Sequence, residues 1–296
     1  MIAVDWGTSS FRAYRLNKAG ELLDQHSSAK GILAVDGGEF AEALQREVGD
    51  WISAGDAPIV MSGMIGSRQG WAEAPYAECP AGFEEIAGKL REVRWGERRA
   101  WIAPGLTCRD ASGVRDVMRG EEMQIMGIVD SLPEGEQRIC MPGTHSKWVT
   151  VKARRIERFS TYMTGEVFAV MRNHSILGRM MMERDDDTHG ETFDAGVARA
   201  GEPGGLLHHL FGVRARGLFG ELDEKQSVSY LSGILIGHEI SSARGDARHI
   251  FLLCNPQLAA LYRRAAVVTG ITASVLDPNA VASALHRLSS FVPEHS

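Results

Sequence analysis

The segment Ile2–Leu16, IAVDWGTSSFRAYRL, is the most informative part of this sequence for the fold. It contains an apolar run that reaches Asp5, a polar turn at residues 7–10 (GTSS), and a second β-rich run that carries Arg12. A polar turn between two β-rich runs predicts a β-hairpin. Gly7 has no side chain, so a ligand can approach the backbone of the turn closely. The segment therefore predicts a hairpin at which phosphate groups can bind.

Two interpretations of this hairpin follow from its residues. Asp5 at the end of a strand can hold Mg²⁺, because this ion binds one or two carboxylates together with waters and substrate phosphates. The hydroxyl and backbone donors of Thr8, Ser9 and Ser10 suit phosphate oxygens. An ordinary polar turn would use the same residues, and this segment alone does not choose between the two.

A second segment, Arg138–Thr150 (RICMPGTHSKWVT), repeats the design near the middle of the chain. Its turn Gly143-Thr144-His145-Ser146 matches the turn at residues 7–10 in three of four residues, at an offset of 136 residues. A repeat at this position predicts a duplicated lobe. Two such turns facing each other would hold the phosphates of a nucleotide from both sides, which favours phosphoryl transfer.

Phosphoryl transfer also needs a group that accepts the proton of the attacking hydroxyl. A carboxylate at a helix start beside the phosphates would suit, and the segment Gly120-Glu121-Glu122 precedes a helical pattern. Acidic residues are favoured in the first turn of any helix by its dipole. Capping is therefore the alternative explanation for Glu121 and Glu122.

Bulk properties limit the class of protein. The 296 residues lie near the upper limit of a single core, which favours two lobes. The net charge of -6 and the lack of a basic block argue against nucleic-acid binding. The first residues do not resemble a secretion signal, and no apolar run reaches the roughly 18 residues of a membrane span. These features predict a cytoplasmic protein without membrane contact.

The hydrophobic pattern predicts an α/β organisation. It begins with three strands, a helix over Phe40–Ser53 and a further strand, and it ends with alternating strands and helices, including a helix over Pro256–Val268. In the apolar helix Ser227–Ala243, Gly233 and Gly237 allow another backbone to approach closely. The acidic run at residues 183–190 is interpreted as a solvated loop and not as a metal site.

Six motifs in this order resemble 2-dehydro-3-deoxygalactonokinases, sugar-acid kinases of the actin, hexokinase and heat-shock-chaperone superfamily. The motifs are DWGTSSFRAY, SGMIGS, VMRGEE-x-Q, MPGTHSKWV, MTGE and LSG-x-LIG-x-E. The resemblance implies an α/β, two-lobed actin-like (ribonuclease H-like) ATPase fold, with each lobe a mixed sheet flanked by helices. The expected lobes are residues 1–136, with the first phosphate hairpin and a sugar-acid loop, and residues 137–296, with the second hairpin and the nucleotide-binding region.

The same resemblance implies an activity: phosphorylation of the terminal hydroxyl of 2-dehydro-3-deoxy-D-galactonate to the 6-phosphate, with ATP and Mg²⁺, in galactonate catabolism. By that comparison Asp5 positions the metal. Glu121 is the expected base and Glu122 the second choice, since the segment also resembles the Gly-x-Glu-Glu of exopolyphosphatases. The expected nucleotide contacts are Gly7, Thr8, Ser9, Ser10, Gly143, Thr144, Ser146 and Lys147.

A sugar-acid substrate implies a cation for its carboxylate, because arginine binds a carboxylate through two parallel hydrogen bonds. Arg68, in the irregular loop at residues 67–82, is the first choice, and a surface charge is its alternative. Ser67, Trp71 and Arg12 are also assigned to the substrate, and Tyr76 is expected to wall the pocket.

Three alternatives remain open from the sequence. They are a phosphohydrolase of the exopolyphosphatase type, a kinase for another 2-keto-3-deoxy sugar acid, and a nucleotide-responsive binding or filament protein. The segment Cys254-Asn255-Pro256 lacks the glycine-rich turn that usually contacts adenosine in this superfamily, although Pro256 suits the first turn of a helix. A homodimer is compatible with the sequence.

Overall fold

A computed structural model describes residues 1–55, 57–181, 190–277 and 280–293. The chain divides into two compact units. The first contains Met1–Gly135, Val151–Arg158 and Pro278–Ser296, and the second contains Glu136–Thr150 and Phe159–Asp277. The first unit thus includes residues 151–158 and 278–296, which the predicted division into 1–136 and 137–296 assigns to the second lobe. The predicted loop at residues 183–190 lies, except for its last residue, outside the described residues.

Nine strands are described in the first unit: β1 (Ile2–Trp6), β2 (Phe11–Leu16), β3 (Leu22–Ser28), β4 (Ile59–Ser62), β5 (Tyr76–Glu78), β6 (Arg91–Trp95), β7 (Arg98–Ile102), β8 (Gly105–Arg109) and β9 (Arg115–Met118). Six form a sheet in the order β3-β2-β1-β4-β7-β6, and a small sheet has the order β5-β8-β9. Strand β1 pairs antiparallel with β2 and parallel with β4. The predicted hairpin is confirmed.

The helices of the first unit are α1 (Phe40–Ser53), α2 (Phe83–Ala87), α3 (Glu121–Ile128) and, from the end of the chain, α9 (Val281–Ser289). Helix α1 has the predicted bounds, and its apolar side, including Leu44 and Ile52, packs in one core with Val4 and Trp6 of β1. Helix α9 contacts β1, β4 and α3. All five residues of β1 are buried, which explains why its sequence does not alternate between apolar and polar residues.

The sheet of the second unit contains β10 (Gln137–Met141), β11 (Ser146–Lys152), β12 (Arg155–Tyr162), β13 (His249–Leu252) and β14 (Thr272–Val275). The end of β11 and the beginning of β12, within residues 151–158, belong to the first unit. The helices of the second unit are α4 (Thr164–His174), α5 (Gly190–Arg199), α6 (Gly205–Leu218), α7 (Glu224–Ala243) and α8 (Pro256–Val268). The sheet order is β12-β11-β10-β13-β14. Helices α5 and α6 were not predicted, whereas α8 has the predicted bounds.

The two sheets share one strand order. In the first, β3-β2-β1-β4-β7 corresponds strand by strand to β12-β11-β10-β13-β14 in the second. The pairs β1–β4 and β4–β7 are parallel, and so are β10–β13 and β13–β14. The match of three residues in the two four-residue turns therefore marks a duplicated topology, as predicted.

Helix α7 has no single apolar face, and it is buried along most of its length. A Cβ atom on Gly233 would lie 2.2 Å from the backbone oxygen of Phe193 in α5, and one on Gly237 would lie 2.8 Å from that of Val197. The predicted close approach at these glycines is confirmed, and its partner is α5. No described helix is both long enough and apolar enough to cross a membrane.

Candidate active site

Backbone hydrogen bonds fix the first turn, at residues 7–10, both within the turn and to residue 32. The backbone N–H of Gly7 donates to the carbonyl of Ser10 (2.8 Å), and that of Ile32 donates to the carbonyl of Gly7 (3.0 Å). Gly31 lies so close that a Cβ atom there would be 2.3 Å from the carbonyl oxygen of Thr8. Thr8 and Ser9 are exposed, so their hydroxyl groups are available to a ligand.

Asp5 lies at the end of β1, opposite Arg12 of β2 in the strand register. Its carboxylate is nearly buried and forms an ion pair with Arg12, with Oδ2 and Nη2 2.8 Å apart. Burial raises the pKa of Asp5, and the Arg12 guanidinium opposes this shift. Arg12 thus holds the Asp5 carboxylate in place beside the first turn.

Glycines bring the start of α3 to Asp5. Gly63 follows β4 with φ of +93°, and a Cβ atom there would lie 2.8 Å from the carbonyl oxygen of Trp6 and 3.3 Å from Oδ1 of Asp5. Gly120 precedes α3 with φ of +102°, and its Cβ atom would lie 3.3 Å from Cα of Gly63. Such backbone angles favour glycine. The ends of β1 and β4 and the start of α3 therefore meet at one place.

The two acidic residues at the start of α3 have different surroundings. Glu122 is fully buried, and its Oε2 accepts the backbone N–H of Gly120 at 2.7 Å. Burial, followed by the nearby Glu121, raises the pKa of Glu122 to about 8. Glu121 is half-buried, and its Oε2 accepts the backbone N–H of Arg119 at 3.0 Å. Both carboxylates cap the helix, but only Glu121 is also reachable from solvent.

Several buried polar atoms near this place have no hydrogen-bond partner among the described residues. They are Nε of Arg12, Oγ of Ser62, Nε and Nη1 of Arg119, and Oε1 of Glu122. Ser62 is the register partner of Asp5 across the β1–β4 pair. Buried polar groups are nearly always hydrogen-bonded in proteins. Their concentration makes this place a candidate site for a polar ligand.

Arg119 was not assigned a role from the sequence, although the VMRGEE motif contains it. Its Nη2 donates to the carbonyl of Ala74 (2.8 Å), and its guanidinium lies over the ring of Tyr76, 4.5 Å from the centroid. A Cβ atom on Gly66 would be 2.8 Å from Nη1. The tight turn after β4 therefore lies against the guanidinium group of Arg119, next to the segment Gly120-Glu121-Glu122.

The other predicted substrate residues lie in a different setting. The side chain of Arg68 is 86% exposed and pairs with Glu73 at 3.1 Å. Ser67 Oγ accepts the backbone N–H of Gln69. The ring of Trp71 packs at a tilt against that of Trp95, with centroids 5.3 Å apart. None of these contacts connects residues 67, 68 and 71 with Asp5 or Glu121.

The second turn has an inward-facing serine. The backbone N–H of Gly143 donates to Oγ of Ser146 (3.4 Å), and this hydroxyl contacts the hydroxyl of Tyr262 (3.2 Å). Ser146 is fully buried, whereas Thr144 is exposed like Thr8. Lys147 points to the opposite face of the sheet, where its Nζ donates to Oγ1 of Thr161 (2.9 Å).

A cavity of about 510 Å³ lies beside the second turn, within the second unit. It is bounded by α4, α7 and α8, and its lining includes Gly143 of the turn and Thr164 and Gly165 of α4. Asn255 caps α8 through the backbone N–H of Leu258 (2.9 Å), with Pro256 in the first turn as predicted. Most of the remaining walls are apolar: Phe168, Val228, Leu235, Ile236, Leu258 and Leu261.

The duplicated sheets have the fold of the actin-like ATPase and sugar-kinase class. An N-acetylglucosamine kinase homologue from Porphyromonas gingivalis superposes with a TM-score of 0.51 over 99% of this chain and 100% of its own, at 14% identity. At that identity the similarity establishes the fold, which is the fold predicted from the sequence.

Closer relatives define the family. The sequence profile described as "2-keto-3-deoxy-galactonokinase" matches residues 5–288. The Escherichia coli (strain K12) 2-dehydro-3-deoxygalactonokinase is 37% identical over 267 residues, 89% of this chain and 88% of its own. A Rhizobium meliloti (strain 1021) protein assigned to the same activity is 39% identical over 280 residues, 93% of this chain and 91% of its own. The chain belongs to the 2-keto-3-deoxy-galactonokinase family.

A solved structure supports this assignment. A Sinorhizobium meliloti protein, provisionally assigned as a 2-dehydro-3-deoxygalactonokinase, superposes with a TM-score of 0.89 and 38% identity. The alignment covers 98% of this chain and 97% of that protein. The resemblance stated from the motifs is confirmed, and the chain is a phosphotransferase with an alcohol group as acceptor.

Proposed function

We propose that the chain phosphorylates 2-dehydro-3-deoxy-D-galactonate at its terminal hydroxyl, with ATP as donor and the 6-phosphate as product, in galactonate catabolism. The family match supports the substrate and favours a kinase over a phosphohydrolase or a filament protein. The observation that carries the chemistry is the meeting of Asp5, Gly63 and the start of α3. This contact supports the proposal because the Asp5 carboxylate, beside the first turn, lies near the helix start that carries the two candidate proton acceptors.

In this proposal Glu121 accepts the proton of the attacking hydroxyl. Glu121 is half-buried and therefore reachable, whereas Glu122 is enclosed and has a raised pKa. General base catalysis of this kind contributes about 10²- to 10⁴-fold to the rate. Glu122 then orients the helix start through Gly120, and it is the second candidate for the base.

The nucleotide is assigned to both turns and to the cavity of the second unit. Exposed hydroxyls of Thr8, Ser9 and Thr144, and the backbone at Gly7 and Gly143, are proposed to contact the phosphates. The apolar walls of the 510 Å³ cavity suit a flat base, and the cavity includes Gly143 in its lining. The predicted nucleotide contacts also include Ser10, Ser146 and Lys147. The buried hydroxyl of Ser146 would act indirectly, by holding the backbone of the turn in its shape.

The oxygens near the first turn fit Mg²⁺. Asp5 Oδ1 and Ser62 Oγ, which has no hydrogen-bond partner in the described part of the chain, are hard donors, and one carboxylate with phosphates and waters is a usual set for this ion. When bound, the ion would neutralise charge on the transferred phosphoryl group. Asp5 would hold it, with Arg12 fixing the carboxylate.

Two arginines are candidates for the cation that binds the substrate carboxylate. Nε and Nη1 of Arg119 have no hydrogen-bond partner within the residues that the structure describes, and this residue lies directly before Gly120. We propose Arg119 as a candidate in addition to the predicted Arg68. Ser67, Trp71, Tyr76 and Arg12 stay predicted substrate residues. A cytoplasmic location and a homodimer also stay predictions from the sequence.

The test is ADP formation from ATP and Mg²⁺ with a panel of 2-keto-3-deoxy sugar acids. We expect the galacto acid to raise turnover most, and Glu121→Gln to lower kcat at least 100-fold while ATP affinity stays within about twofold. If no acid raised turnover above the rate with ATP alone, the proposed function would be wrong. A larger loss in Glu122→Gln than in Glu121→Gln would move the base to Glu122.

The same assay separates the two arginines. Loss of a hydrogen bond to a charged group costs about 1.5–3 kcal/mol, so Arg119→Lys should raise KM for the sugar acid about 10- to 100-fold. Arg68→Ala is the matched comparison on the exposed loop. The opposite pattern would assign the carboxylate to Arg68, and KM for ATP should not change in either variant.

A further inference from the structure

Glu239 of α7 is a buried carboxylate for which the proposed chemistry has no use. It is 2% exposed, and its Oε1 accepts the indole N–H of Trp148 at 2.8 Å. Its Oε2 accepts the hydroxyl of Tyr262 at 2.7 Å, and the hydroxyl groups of Thr164 and Ser146 also hydrogen-bond to this carboxylate. A buried carboxylate is costly unless several donors surround it. Four donors from three segments, β11, α4 and α8, meet this requirement.

These donors belong to the segments that surround the nucleotide cavity. Thr164 begins α4, Tyr262 lies on α8, and both line the cavity together with Gly143. Burial raises the pKa of Glu239, and the hydrogen bonds of its partners oppose the shift. The carboxylate thus connects α4, α7, α8 and β11 beneath the second turn.

In this series of hydrogen bonds, each hydroxyl group donates toward the carboxylate of Glu239. Because Tyr262 donates to Glu239, its oxygen can accept the one hydroxyl hydrogen of Ser146, which Ser146 shares between Tyr262 and the carboxylate. Ser146 then has its lone pairs free for the backbone N–H of Gly143. The carboxylate sets the orientation of each hydroxyl, and the last bond holds the peptide of the turn. Backbone positions in such turns decide how phosphate oxygens are held.

We propose that Glu239 is a positioning residue, which acts through Tyr262 and Ser146 to fix the Gly143 turn for the phosphates of the nucleotide. This inference rests on the proposed function, since it assumes that the second turn binds those phosphates. It assigns a role to the glutamate of the LSG-x-LIG-x-E motif and explains why the serine of the second turn faces inward.

The experiment compares variants of the full chain by the Kd for Mg-ADP, measured calorimetrically without sugar acid, and by steady-state kinetics. Tyr262→Phe keeps the ring and removes only the hydroxyl. We expect its Kd for Mg-ADP and its KM for ATP to rise about tenfold, from the loss of one hydrogen bond in the series. The KM for the sugar acid should stay within about twofold. Ser146→Ala breaks the same series at the turn and should produce the same pattern.

Cys140→Ala is the matched control. The thiol of Cys140 contacts Oε1 of the same carboxylate at 3.8 Å, but it lies outside the series that leads to Gly143. We expect this variant to lower the melting temperature without changing the Kd for Mg-ADP. Glu239→Gln tests the carboxylate itself and should weaken nucleotide binding at least as much as Tyr262→Phe.

Two outcomes would overturn the inference. In one, Tyr262→Phe and Ser146→Ala melt at lower temperature but bind Mg-ADP as tightly as the original chain, so that the network is only structural. In the other, Cys140→Ala weakens binding equally, so that any disturbance near Glu239 has the same effect. Failure of the proposed function is distinguished by the original chain, which would then show no sugar-acid-dependent ADP formation.

Discussion

At the scale of single residues, Glu122 shows how burial changes a carboxyl group. It is fully buried with one oxygen unpartnered among the described residues, and its pKa is raised to about 8 by burial and by Glu121. The ordinary value is 4.5, so between these two pH values the folded chain holds a proton that the unfolded chain releases. The contribution to stability is complete below pH 4.5 and is lost as the pH rises through 8.

This difference predicts the pH dependence of stability in Glu122→Gln. From pH 5.5 to 8.5 the free energy of unfolding of the original chain should fall relative to that of the variant by about 3 kcal/mol. Urea denaturation at both pH values measures this change. Parallel pH curves for the two proteins would show that the pKa of Glu122 is not raised.

Residue types predicted part of the candidate site. Asp5 and Glu121 were chosen because phosphoryl transfer needs a metal-binding and a proton-accepting carboxylate, and the structure brings their segments together. Arg119 was missed because its partners, the Ala74 carbonyl and the Tyr76 ring, come from a distant loop. The inward orientation of Ser146 depends on Tyr262, 116 residues away, and a turn sequence has no information about such a contact.

At the scale of elements, the packing of α7 on α5 depends on glycine. A Cβ atom on Gly233 would lie 2.2 Å from the backbone oxygen of Phe193 and 3.0 Å from the backbone nitrogen of Val197. On Gly196 of α5, it would lie 2.4 Å from the carbonyl oxygen of Tyr230. The two helices therefore contact each other through backbone. The spacing of Gly233 and Gly237 predicted such a contact, but it did not identify the partner helix.

Gly233→Ala should lower the free energy of unfolding by about 1–3 kcal/mol, because the added methyl group forces the two backbones apart. Gly212→Ala in α6 is the control, since a Cβ atom there meets nothing within 4 Å. That control should gain about 0.5–1 kcal/mol from helix propensity. Equal effects of the two substitutions in urea denaturation would contradict the close packing of α5 and α7.

At the scale of the whole molecule, the end of the chain belongs to the unit formed by its beginning. Helix α9 contacts β1, β4 and α3, and a Cβ atom on Gly127 of α3 would lie 2.0 Å from the carbonyl oxygen of Ala280. The predicted division places this helix in the lobe of residues 137–296. Its amphipathic pattern shows one apolar face, but the pattern does not identify the sheet that this face covers.

Leu288→Ala tests which unit α9 stabilises. Leu288 is fully buried, and its truncation should cost about 2–5 kcal/mol. Hydrogen exchange should then show faster opening in β1 and α3 than in β10 and β13. Phe291→Ala, at a position 46% exposed, should cost less than about 1 kcal/mol. Faster exchange confined to β10 and β13 would support the division at residue 136 instead.

The sequence by itself determined the β1–β2 hairpin, its second copy at β10–β11, helices α1 and α8, the family and the class of reaction. These features depend on local periodicity, turn chemistry and motifs, which a linear pattern contains. The tertiary structure decided that glycines bring Asp5 to the start of α3, that Arg119 stacks on Tyr76, and that Glu239 supports the second turn. Each of these depends on contacts between segments far apart in the chain, and such contacts are set by packing.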